Sequence, residues 1–129
     1  MTTVVRLVGV YDADGSAIGE LTYFLRARVG KAHCGLCDIT HGALRERADW
    51  RACRDALPVP FETYHRDGQP PAVRAAGEAA LPVVLAETAD GAYLRLLGPA
   101  DLDACAGSPE RLVAAVDAAL GALGADWAE

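Results

Sequence analysis

The hydrophobic pattern opens with VVRLVGV, residues 4 to 10, a near-continuous β-branched and aliphatic run ended by the turn residues of YDADG. A run of this kind predicts a strand covered on both faces, and therefore a central strand. From Ile18 the apolar positions Ile18, Leu21, Leu25 and Val29 advance by three and four, which predicts a helix over 17–29 closed by Gly30. Leu44, Trp50, Cys53 and Leu57 recur at roughly helical spacing over 43–57, and the prolines at 58 and 60 stop that segment. The period then changes to two. Val59, Phe61, Thr63 and His65 fall on one side and Glu62, Tyr64 and Arg66 on the other, predicting a strand that ends at Asp67-Gly68.

A short helix is expected over 71–79. LPVVLAETADGAYLRLLG then gives two apolar runs joined by Asp90-Gly91, the pair that a type I′ hairpin turn favours. Ser108 as N-cap, Pro109 at the first helical position and Glu110 in the first turn open a closing helix that runs to about Leu123. No repeat or low-complexity linker interrupts the pattern, and 129 residues suit one domain. The expectation is a single α/β domain over 1–129: a central mixed sheet flanked by helices, with a C-terminal β-hairpin followed by a helix.

This order of elements, with Leu81-Pro82-Val83 entering the first hairpin strand, resembles the thioredoxin-like fold. In that fold a β-α-β unit is followed by a helix, an antiparallel hairpin and a last helix, and a cis-proline begins the first hairpin strand. The resemblance implies that role for Pro82.

The chemistry is concentrated in GKAHCGLCDITHGAL, residues 30 to 44, where His33, Cys34, Cys37 and His41 fall within nine positions. In thioredoxin-like oxidoreductases the C-x-x-C sits at the end of the first strand and opens the first helix, where the helix N-terminus favours the thiolate. Here DADGSAIG occupies that place. If 17–29 is a helix, it carries the chain roughly 18 Å along its axis before the cysteines, which would put them at the opposite end of the sheet. Either GELTYFLRARVG is an insertion and Cys34 opens the true first helix, or the thiols serve another purpose.

A metal explains more of these residues, because a dithiol redox pair has no need of a histidine seven positions after the first cysteine. At i, i+3 and i+7, Cys34, Cys37 and His41 fall within an arc of about 60° on a helix. If Gly35 instead makes a turn, C-x-x-C forms a metal-binding knuckle with His41 in the first helical turn that follows. His33 or His65 would complete a tetrahedral set, Asp38 could orient a ligand, and thiolate with imidazole suits zinc first and copper(I) next. The alternative is a thiol-disulfide oxidoreductase in which Cys34 attacks as thiolate, Cys37 resolves the mixed disulfide and Pro82 packs beside the pair. The expected partner is accordingly a metal ion or a thiol partner. HCGLCDITHG after YDADG…GEL also resembles small bacterial proteins with no assigned activity. Cys53 and Cys105, isolated among apolar residues, are expected to be core.

Composition narrows the partners. The net charge is −6, with Lys31 the only lysine and eleven scattered arginines, which argues against the clustered positive charge that nucleic-acid binding needs. The N-terminal apolar run is too short for a signal peptide and no eighteen-residue apolar run occurs, so no membrane is expected and the cytoplasm is the expected compartment. There thiols stay reduced, and C-x-x-C is more often metal-binding or catalytic than a structural disulfide. Asp12 and Asp14 resemble the first motif of haloacid-dehalogenase-type phosphohydrolases, but a matching phosphate-binding lysine and a late paired-aspartate motif are lacking, and a strand-to-loop turn explains them. HRD at 65–67 lacks every other part of a kinase.

Overall fold

A near-continuous apolar strand has to be sheltered on both sides, and β1 (Thr2–Val10) is buried from Leu7 to Val10. The computed structural model describes residues 2–11, 35–40, 47–77 and 81–128. In it β1 lies inside a mixed five-stranded sheet with β2 (Phe61–Tyr64), β3 (Val83–Thr88), β4 (Tyr93–Leu97) and β5 (Ala125–Trp127). The order is β2-β1-β3-β4, with β5 pairing the start of β1. β1 and β2 run parallel, from Leu7↔Phe61 to Val10↔Tyr64. β3 runs antiparallel to β1, with Val10 opposite Val83, and β3 and β4 form the expected hairpin.

The two faces of the sheet carry separate cores. A register shift between Val4 and Arg6 places Val4 on the side of Leu7 and Tyr11. That face is covered by α1 (Gly35–Thr40), α2 (Ala48–Asp55), α4 (Pro99–Ala104) and α5 (Pro109–Ala122), which contribute Leu36, Ile39, Trp50, Leu102, Leu112 and Val116 to one apolar cluster. The opposite face is smaller: α3 (Pro71–Gly77) lays Val73 against Val8, Val10, Val83 and Leu85. Beyond the reach of α3, Arg6 fills the second face with polar contacts, donating to Glu87 at 2.6 Å, Glu62 at 2.8 Å and the Tyr93 hydroxyl at 3.0 Å.

Mixed α/β architecture, the central strand, a period-two strand, the hairpin and the closing helix follow the sequence pattern, but β2 stops at Tyr64 and Arg66–Gly68 form a 3-10 turn where the alternation predicts strand. Ser108 caps α5 as expected, accepting from the Arg111 N–H at 3.3 Å. The hairpin turn differs. Thr88 O accepts from Gly91 N at 2.9 Å and Thr88 N donates to Ala92 O at 2.8 Å, so the loop has three residues, and within it only Gly91 has positive φ, at 87°. A type I′ turn needs positive φ at both central positions, whereas a type I turn followed by a left-handed glycine needs it at one. Two further elements had no strong pattern in the sequence: α4, opened by Pro99 and by Asp101 accepting the Gly98 N–H at 2.9 Å, and β5. The helix expected over 17–29 lies outside the described residues. No helix among the described residues is long and apolar enough to cross a membrane.

Candidate functional site

Parallel strands end at the same edge of a sheet, and β1 and β2 do so one residue before Tyr11 and His65. The Tyr11 N–H continues the ladder by donating to Tyr64 O at 2.9 Å. Tyr11 and His65 therefore lie side by side on one face, with ring centroids 5.2 Å apart and planes tilted by 46°. Tyr11 is buried and His65 half-buried. This confirms the parity that grouped His65 with Phe61. On the other side of β1 the antiparallel strand β3 starts at the same edge, directly after a cis peptide bond between Leu81 and Pro82.

α1 packs on this end of the sheet. Gly9 makes the close approach possible: a Cβ there would stand 3.0 Å from Leu36 Cδ2 and 3.0 Å from Phe61 Cε1, tighter than ordinary contact. Leu36 and Ile39 bury the apolar side of the helix, and Thr40, on the same side, is fully buried as well. Its Oγ1 lies 3.0 Å from the Tyr11 hydroxyl in a buried hydrogen bond. Thr40 O accepts from Arg47 N at 2.7 Å, tying the end of α1 to the start of α2, where the Arg47 guanidinium grips both carboxylate oxygens of Asp49 and donates to Gly107 O.

The sequence leaves open whether the cysteine segment lies at the end of β1 or at the opposite end of the sheet; α1, whose backbone includes Cys37, packs against Gly9 and Tyr11 at the end of β1. The packing of Leu36 and Ile39 sets this position, and spacing along the chain does not.

Of the sequence-predicted site residues, His65 is described in full and Cys37 through its backbone in α1. His33, Cys34, His41 and the side chains of Cys37 and Asp38 lie outside the described residues, as do Asp12 and Asp14. Along the chain Cys34 directly precedes α1 and His41 directly follows it. Among the described residues no three His, Cys, Asp or Glu side chains cluster in a way that could hold a metal ion.

Cys53 and Cys105 are free thiols. Cys105 is buried in the main core and Cys53 is half-buried. Burial, first, pushes both thiols up from their ordinary pKa, reinforced at Cys53 by Glu110 and Asp49 and at Cys105 by Asp101. A raised pKa keeps a thiol protonated and poorly nucleophilic.

Tyr11 and Thr40 were not singled out from the sequence. The signal was present in weak form. Tyr11 shares the parity of Leu7 and Gly9, and Thr40 is the polar member of the Leu36, Ile39, Thr40 stripe at helical spacing. A hydroxyl on a buried stripe demands a partner.

Comparison with protein-family models, with curated proteins and with solved structures finds no match to this chain.

Proposed function

We propose that the chain is a metal-binding protein in which Cys34, Cys37 and His41 are ligands of a zinc or copper(I) ion and His65 is the fourth. The observation that carries this reading is the bridge made by Tyr11: its hydroxyl holds Thr40, which directly precedes His41 in the chain, and its ring touches His65. His65 at the end of β2 thus lies at the same end of the sheet as α1, to which Cys37 belongs. Two thiolates with two imidazoles form a donor set that closes a tetrahedral site, suited to structural stability or metal handling; displacement of His65 would open a position for catalysis. The ligands bind deprotonated, so metal uptake releases protons and strengthens as pH rises.

The finer fold reading belongs to the same proposal. A thioredoxin-like domain is supported by the parallel β1–β2 pair, the antiparallel β3–β4 hairpin, the closing helix α5 and the cis Leu81-Pro82 bond before β3.

The packing of α1 beside that edge favours one second reading, a thiol-disulfide oxidoreductase. The Cys34 thiolate would attack a partner disulfide, releasing one partner thiolate, and the Cys37 thiolate would then attack the Cys34 sulfur and release the second. The protein ends as a disulfide and the partner has gained two electrons.

The test is zinc affinity by competition with a chromophoric chelator. Cys37→Ser is expected to abolish tight binding, and His65→Ala to weaken it while leaving one ion per chain at saturating zinc. Wild-type affinity in Cys37→Ser would exclude the metal reading, and a Cys37→Ser protein that traps a mixed disulfide through Cys34 would favour the redox one.

A further inference from the structure

Three elements meet at Tyr11. Its N–H extends the ladder from β1 to β2, its ring lies against His65, and its hydroxyl bonds Thr40 at the end of α1. The end of α1 is held a second time by the 2.7 Å bond from Arg47 N to Thr40 O. A buried phenol has little freedom: the ring is packed and the hydroxyl exchanges a partner only at the expense of a desolvated polar group. Any shift of Thr40 is therefore felt at His65 through one rigid side chain.

We propose that Tyr11 is a positioning residue of this site, one that sets the His65 imidazole relative to the cysteine helix through its hydrogen bond to Thr40. The proposal rests on the metal reading above for its consequence: the ion would need His65 in register with the cysteine segment, and Tyr11 touches both His65 and Thr40 of α1. Tyr11 itself would hold no metal. Its role is outer, like that of the hydrogen-bonding groups that orient first ligands and whose loss weakens a metal site without removing it.

The experiment uses cobalt(II) as the spectroscopic probe for zinc in the full chain, with Tyr11→Phe, Thr40→Val, Thr40→Ser, His65→Ala and the Tyr11→Phe/His65→Ala pair. Tyr11→Phe is expected to fold, to take up cobalt with the thiolate charge-transfer band intact, to alter the ligand-field bands and to lose affinity about 10-fold. Thr40→Val should reproduce this, and Thr40→Ser, which keeps the hydroxyl, should restore the wild-type spectrum and affinity. In the His65→Ala background Tyr11→Phe should cause no further loss. A wild-type spectrum and affinity in folded Tyr11→Phe, or an equal loss with and without His65, would overturn the proposal. Failure of the wild-type chain to take up cobalt would overturn the metal reading. The coupling is decided separately in the metal-free protein, where Thr40→Val should shift the ring-proton resonances of His65 and unmoved resonances would refute it.

Discussion

Tyr11 and Thr40 stand 29 positions apart in sequence and share a buried hydroxyl-to-hydroxyl hydrogen bond of 3.0 Å. A hydrogen bond of this kind contributes about 0.5–1.5 kcal/mol net, and double-mutant cycles isolate it from the other contacts of each residue. Tyr11→Phe is expected to lower the unfolding free energy by about 1 kcal/mol, and Thr40→Val to remove little more once Tyr11 is Phe. Urea unfolding of the four proteins measures this directly, and strict additivity would mean that the pair is not coupled.

Gly9 is the contact surface for α1. Gly9→Ala would press a methyl group against Leu36 and Phe61 at 3.0 Å, and overpacking of a tight core costs about 1–3 kcal/mol. The substitution is expected to destabilise the fold and to loosen the packing of α1, seen as faster amide exchange of the Leu36 to Thr40 backbone. Unchanged exchange there would argue that α1 is held by other contacts.

Cys105, in the main core, and Cys53, half-buried outside it, should both be inert. Burial raises the Cys53 and Cys105 pKa values, so at neutral pH the thiolate fraction of each lies below that of an ordinary exposed cysteine. In a Cys34→Ser/Cys37→Ser chain, alkylation of native protein by iodoacetamide at pH 7 is expected to be slow, to accelerate only above the ordinary thiol pKa, and to become fast on denaturation. Rapid modification of either at pH 7 would contradict this.

Asp90 shapes the acid response of the hairpin. The Thr88 hydroxyl, first, and the Ala92 N–H donate to its carboxylate and hold its pKa below the ordinary carboxylate value. A depressed folded pKa stabilises above the unfolded pKa, and that stabilisation is lost as pH falls through the lowered folded value. Carboxyl 13C titration should give Asp90 a midpoint below that of a free aspartate, and Asp90→Ala should flatten the acid limb of stability in that window. A midpoint at the ordinary value would show that the Thr88 contact does not favour the charged form.

Much of the fold was legible because its signals are local. The continuous apolar run of β1 names a central strand, the alternation through Phe61 and His65 gives β2 its faces, and Ser108-Pro109 marks the start of α5. The turn at Asp90-Gly91 was harder, because one glycine with positive φ serves two turn types and the strand register selects between them. β5, at three residues, is too short for alternation to register, and α4 is announced only by Gly98-Pro99 and Asp101. The candidate site residues were legible as a list, and the placement of α1 was not. That placement depends on Gly9 admitting Leu36 and on a hydrogen bond between Tyr11 and Thr40, and no spacing rule encodes a contact between a strand end and a helix that distant in sequence.

Binding of a metal by Cys34, Cys37, His41 and His65 is the function proposed for this chain. The most direct measurement is elemental analysis by mass spectrometry on untagged protein purified anaerobically, paired with thiol titration of the native and denatured chain. The expected result is about one zinc or copper ion per chain, with Cys34 and Cys37 silent to the thiol reagent until the metal is chelated. Metal-free protein with one fast-reacting thiol at Cys34 that forms a reversible disulfide with Cys37 would contradict it and establish a redox protein instead.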